Sequence, residues 1–142
     1  MLNLHPALPG GPVGTWQNVI WQLIEGRHAQ TGSYVHLVTE DLDRGPVMTY
    51  CSFSIRGEEF EPLWQQIHGL SLEDIKSLHG EDLPLFQLIR HYSVKMERPL
   101  VLETLKLVSN GNLVIDGGQI LDQAGKSIQP VCLNDAIERY MS

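Results

Sequence analysis

The feature that most constrains this chain is a change of hydrophobic period, from strand to helix and back to strand, within its first 55 residues. Trp16, Val19, Ile20, Leu23 and Ile24 recur at helical spacing, with Thr15 placed to cap the helix and Gly26 to stop it. Before them, residues 1–14 pass from a short apolar start into a loop stiffened by three prolines and three glycines. After them, Ser33 to Thr39 and Val47 to Ile55 are rich in β-branched and aromatic residues, and EDLDRGP lies between as a loop. The pattern specifies an α/β fold. With 142 residues, 42% of them hydrophobic, a single domain is expected.

In the Val47 to Ile55 strand, Val47, Thr49, Cys51, Phe53 and Ile55 share the face expected to meet the core, which makes Cys51 structural. Glu58 to Glu61 form an acidic, solvated lead into a helix around Leu63 to His68, where Pro62 is tolerated. Ser71 with Asp74 resembles a cap for a short helix. Asp82 and Pro84 open a longer one through Leu85, Leu88, Ile89 and Tyr92. Past Pro99 the pattern changes, and Asn110-Gly111 between apolar runs predicts a β-hairpin. A second turn falls at Asp116 to Gly118, and Asn134 is placed to cap a last helix, DAIERYM. The chain thus divides into 1–56, a helical 57–98, and 99–142 with a hairpin and a short C-terminal helix.

Composition excludes several functions. A formal net charge of −7 disfavours a polyanionic partner, since neutralising phosphates takes clustered Lys and Arg, so no nucleic acid is expected. Cys51 and Cys132 form no C-x-x-C pair, and His28, His68, His79 and His91 show no shared ligand spacing, so no metal site is expected. No apolar run reaches the length of a membrane span and no signal-peptide pattern opens the chain, which leads us to expect a cytoplasmic protein. Ala124-Gly125-Lys126-Ser127 lacks the spacing of a phosphate loop and reads as a turn. Trp16, Trp21 and Trp64 read as packing residues.

Asn3, His5 and Asp43 stand apart as polar groups at the edges of apolar runs, beside loops rigidified by Pro and Gly. Asn3-Leu4-His5-Pro6-Ala7-Leu8-Pro9 resembles the N-x-H-P-S-L-L-P signature of the folate-dependent formyltransferase family, and Val35 to Val47, VHLVTEDLDRGPV, resembles its second signature. Both occur in the family's order with a helix between them. The resemblance covers about the first 55 residues, fades afterwards, and is nearest to the glycinamide ribonucleotide formyltransferase and formyltetrahydrofolate deformylase branches. It implies a mixed sheet with flanking helices, 10-formyltetrahydrofolate as co-substrate, a small amine as acceptor, and Asn3, His5 and Asp43 as the catalytic residues. Deformylation, transfer to methionyl-tRNA or a sugar nucleotide, and a non-catalytic folate-binding remnant are the alternatives.

The chemistry agrees with the residues. Formyl transfer passes through a tetrahedral intermediate whose oxygen becomes anionic. The Asn3 amide and a protonated His5 supply donors for it, and a carboxylate at Asp43 would favour the charged imidazole and relay a proton through water. His36 matches the family's strand histidine, either as support for the site or as a partly buried histidine satisfied by a neighbouring strand. Thr39, Glu40 and Asp41 fall on the loop that the resemblance sets against the pterin. Because the family's asparagine lies midway along its chains, the N-terminal nucleotide-binding half is expected to be missing here. The strand ending at Leu4 is then expected to expose an edge that drives homo-oligomer formation or strand exchange.

Overall fold

A computed structural model describes residues 1–38 and 45–141. Asp43, Thr39, Glu40 and Asp41 lie outside the described residues. The fold is a mixed sheet with helices packed against it. Strand β1 (Leu2–His5) is followed by helix α1 (Trp16–Glu25), strands β2 (Gln30–Leu37) and β3 (Val47–Ser54), and short helices α2 (Glu61–Gln66) and α3 (Leu72–Leu78). Helix α4 (Pro84–Ser109) leads to a small hairpin of β4 (Val114–Asp116) and β5 (Gln119–Leu121), then β6 (Val131–Cys132) and α5 (Asn134–Met141). The main sheet has the order β1-β2-β3-β6, with β1 and β2 antiparallel, β2 and β3 antiparallel, and β6 parallel to β3.

The capping chemistry read from the sequence is present in two helices. Thr15 Oγ1 accepts from the Asn18 amide at the start of α1, and Ser71 Oγ accepts from the Asp74 amide at the start of α3. Each satisfies a donor that a helix N-terminus leaves without an internal partner. Two other readings are corrected. Asn110-Gly111 is not a hairpin turn: α4 continues through Pro99 to Ser109, and Asn110 is its C-cap. Gly111, at φ 82°, then turns the chain so that the Leu113 amide bonds back to the Leu107 carbonyl. The left-handed glycine that ends a helix is the same signal that closes a hairpin, so the dipeptide alone does not separate them. Nor does Asn134 cap α5. Its carboxamide instead accepts from the Ser52 amide at 2.8 Å and donates to Ser52 Oγ at 2.9 Å, tying α5 to β3.

An internal proline ordinarily costs a helix ~3 kcal/mol. In α4 that cost is offset by burial, because Pro99, Leu100 and Thr104 pack under the sheet. Thr104 Oγ1 donates to the Leu100 carbonyl at 2.7 Å, which leaves it to accept from Thr49 Oγ1, also at 2.7 Å. The central cluster of the core joins Val35, Cys51, Leu100, Leu133 and Ile137, with Leu2 and Leu4 against it. A larger cluster joins α1, α2, α3 and the first half of α4 around Phe86, Ile89 and Ile55, and it includes Trp21 and Trp64. Thr49, Cys51 and Ile55 are buried as the strand alternation requires. Met48 is buried too, because the β2–β3 register slips between Val35 and His36 and lets Met48 pack with Leu113 and Ile120.

Burial pushes the Cys51 thiol up from 9.0 to about 11. Between those pH values the unfolded chain ionises Cys51 and the folded chain does not. The thiol's contribution to stability is therefore intact below pH 9.0 and is lost as the pH rises to about 11. Urea titrations across this window should show a falling midpoint in the wild type and a smaller fall in Cys51→Ala.

Candidate active site

Strand β1 carries two of the three residues singled out by the sequence. The register pairs Asn3 with His36 and His5 with Tyr34. Residues directly opposite in an antiparallel pair project from the same face. Asn3, His5, Tyr34 and His36 therefore share one face, while Leu2, Leu4 and Val35 pack into the core on the other. The His5 and Tyr34 rings lie 5.0 Å apart between centroids, and Tyr34 and His36 lie 5.6 Å apart. Tyr34 belongs to neither signature. Its alternation with His36 along β2 was the signal that could have found it.

The loop after β1 is fixed at several points. His5 Nε2 lies 3.3 Å from the Pro12 carbonyl, the Gly11 amide donates to the Leu8 carbonyl at 2.9 Å, and Gln22 Nε2 donates to the Val13 carbonyl at 2.8 Å. Ala7 is fully buried in the helical core. The Pro- and Gly-rich stretch thus acts as a brace that orients the His5 ring, as loops on a rigid scaffold commonly do for functional groups.

His36 is buried, with Nδ1 3.3 Å from the Leu37 carbonyl. Asn3 is exposed and His5 is half-buried. The β1–β2 ladder extends to the Val38 amide, which donates to the Met1 carbonyl at 2.8 Å, and the Leu37 amide donates to the Pro46 carbonyl at 3.0 Å. A cavity of about 330 Å³ opens beside β1, lined by Asn3 with Leu2, Leu4, Val35 and residues Val101, Thr104 and Leu105 of α4. Neither His5 nor His36 lines it. What the described residues bring together is thus an amide donor and an imidazole two positions apart on one strand face, backed by a second histidine and a tyrosine.

The described residues form a mixed sheet with flanking helices, and solved structures share this fold. The chain shares that fold with the phosphoribosylglycinamide formyltransferase of Coxiella burnetii, at TM-score 0.54 and 19% identity, over 93% of this chain and 50% of that one. The corresponding protein of Anaplasma phagocytophilum matches at TM-score 0.50 and 17% identity, over 92% of this chain and 50% of that one. This chain therefore spans about half the length of the solved structures it matches. No protein-family model matches it, and no curated protein matches its sequence. Among the described residues no helix is long and apolar enough to cross a membrane.

Proposed function

We propose that this chain carries the catalytic residues of a folate-dependent formyltransferase, moving a formyl group from 10-formyltetrahydrofolate to an amine resembling glycinamide ribonucleotide, in cytoplasmic purine biosynthesis. The observation that carries the reading is the placement of Asn3 and His5 on one strand face within a fold shared with phosphoribosylglycinamide formyltransferases. The acceptor amine attacks the formyl carbon, and the carbonyl oxygen takes the negative charge. Asn3 and protonated His5 donate to that oxygen. Asp43 relays the proton lost by the amine toward the folate nitrogen, whose bond to the formyl carbon breaks as the intermediate collapses. Thr39, Glu40 and Asp41 contact the pterin and His36 supports the site from the neighbouring strand. An assay with ¹⁴C-formyl-labelled 10-formyltetrahydrofolate tests this: label passing to an amine supports transfer, formate released without an amine indicates a deformylase, and no release or binding indicates a non-catalytic role.

The same reading extends to partners. Among the described residues β1 has one strand neighbour, β2. Its other edge is open to a further strand, and Leu105, exposed on α4, lines the cavity beside β1. The edge takes up a further strand from a second copy. Light scattering of this chain at rising concentration should show self-association that Leu105→Lys reduces. A strictly monomeric species at every concentration would contradict it.

A further inference from the structure

Away from β1, on the side of the sheet covered by α4 and α5, a cavity of about 390 Å³ opens where β3 ends and the helical segment begins. One wall is aromatic. Phe53 and Phe60 pack against Tyr92, with ring centroids 6.1 and 5.7 Å from it, and all three residues line the cavity. Met96 and Met141 complete the apolar lining, adding two polarisable thioethers.

The rim has the opposite character. Glu58, Glu59 and Glu138 line the same cavity, against a single cation, Arg56. That guanidinium is already engaged: it lies 4.0 Å from the Trp64 ring centroid, 3.7 Å from the Glu61 carboxylate, and donates to the Arg27 carbonyl at 3.2 Å. Among the described residues Glu58 and Glu138 have no ion-pair partner. The Tyr92 hydroxyl donates to Glu59, and this hydrogen bond to a carboxylate raises the pKa of the phenol. A phenol held this way stays neutral and is enriched in electron density, which strengthens the face of its ring as a partner for a cation.

We propose that this cavity is a binding site for a small organic cation of the quaternary or alkylated ammonium class, seated on the aromatic wall and neutralised by the carboxylate rim. The class follows from the combination. An aromatic face attracts a cation whose charge is spread over apolar methyl groups, and such ions shed water more cheaply than a metal ion or a primary ammonium. A neutral apolar ligand would gain nothing from three carboxylates. A hard metal ion would need convergent oxygen ligands, and among the described residues no group of metal-ligating side chains converges. A cavity of this volume suits a small molecule.

The site shares no residue with the proposed formyl site, so the two stand or fall separately. Calorimetric titration of the chain with choline, and in parallel with 3,3-dimethylbutan-1-ol, its neutral isostere, tests the proposal. Saturable choline binding at least about tenfold tighter than the isostere is expected, weakened about threefold or more by Glu138→Gln and again by Phe53→Leu. Far-ultraviolet circular dichroism and the unfolding midpoint confirm that each variant is folded. Because Glu138 is exposed, Glu138→Gln keeps the test decisive if Phe53→Leu does not fold. Equal affinity for the two probes, absence of choline binding, or unchanged affinity in Glu138→Gln would overturn the assignment.

Discussion

Asn3→Ala is expected to lower formyl turnover by about 10²–10³, with a much smaller change in the KM for 10-formyltetrahydrofolate. The size of the effect follows from when the bond forms. A donor aimed at the position of the oxyanion strengthens its hydrogen bond as charge develops, so its loss falls on kcat more than on binding. The variant should remain folded. Asn3 is exposed on an edge strand, whereas its neighbours Leu2 and Leu4 make the apolar contacts that hold β1 to the core. Asn3→Asp is expected to be at least as damaging, since it replaces a donor with a negative charge facing the oxyanion. Steady-state kinetics decides: a kcat within a factor of about two of the wild type would remove Asn3 from the chemistry.

Gly32→Ala is expected to destabilise the fold strongly. A Cβ at Gly32 would lie 1.8 Å from the Cys51 carbonyl oxygen and 2.9 Å from the Leu8 side chain. The first of these is backbone in the adjacent strand and has nowhere to move without breaking the β2–β3 ladder, in which Gly32 pairs with Ser52. Overpacking a tight core typically costs 1–3 kcal/mol where side chains give way, and here a strand must shift, so about 3 kcal/mol or more is expected. The damage should also reach the site, because Leu8 belongs to the loop that braces His5. Urea denaturation of the purified variant checks the stability. A midpoint equal to the wild type's would show that the strands do not approach so closely in solution.

The fold was legible where local chemistry and burial agree. Thr15 and Ser71 cap the helices they precede, and the apolar spacing from Trp16 to Ile24 matches the buried face of α1. It was illegible where tertiary packing decides. Pro99 and the Asn110-Gly111 pair argued for a break and a hairpin, yet burial of Leu100 and Thr104 carries α4 through Pro99 to its cap at Asn110. Asn134 opens a helix in a sequence that reads as a cap, but the Ser52 amide, 82 residues away in sequence, takes its side chain. No local pattern encodes a partner that distant.

The candidate site divides the same way. Asn3 and His5 were legible through the N-x-H-P signature that the segment resembles and their place beside a Pro- and Gly-rich loop, while their shared strand face comes from the register. The contribution of Tyr34 depends on register, which the turn between strands sets and the residues themselves do not announce. The aromatic cavity was hidden for a related reason. Phe53, Phe60 and Tyr92 come from a strand, a loop and a helix, and Glu58 to Glu61 in isolation suggested only a solvated helix start.

The most direct test of the account is NMR observation of the His5 imidazole during titration with a non-hydrolysable 10-formyltetrahydrofolate analogue. Saturable shifts of the His5 ring and the Asn3 side-chain amide are expected, with cross-relaxation from the analogue's formyl-equivalent group to both. Binding that leaves these two resonances unmoved, or no binding at millimolar analogue, would contradict it.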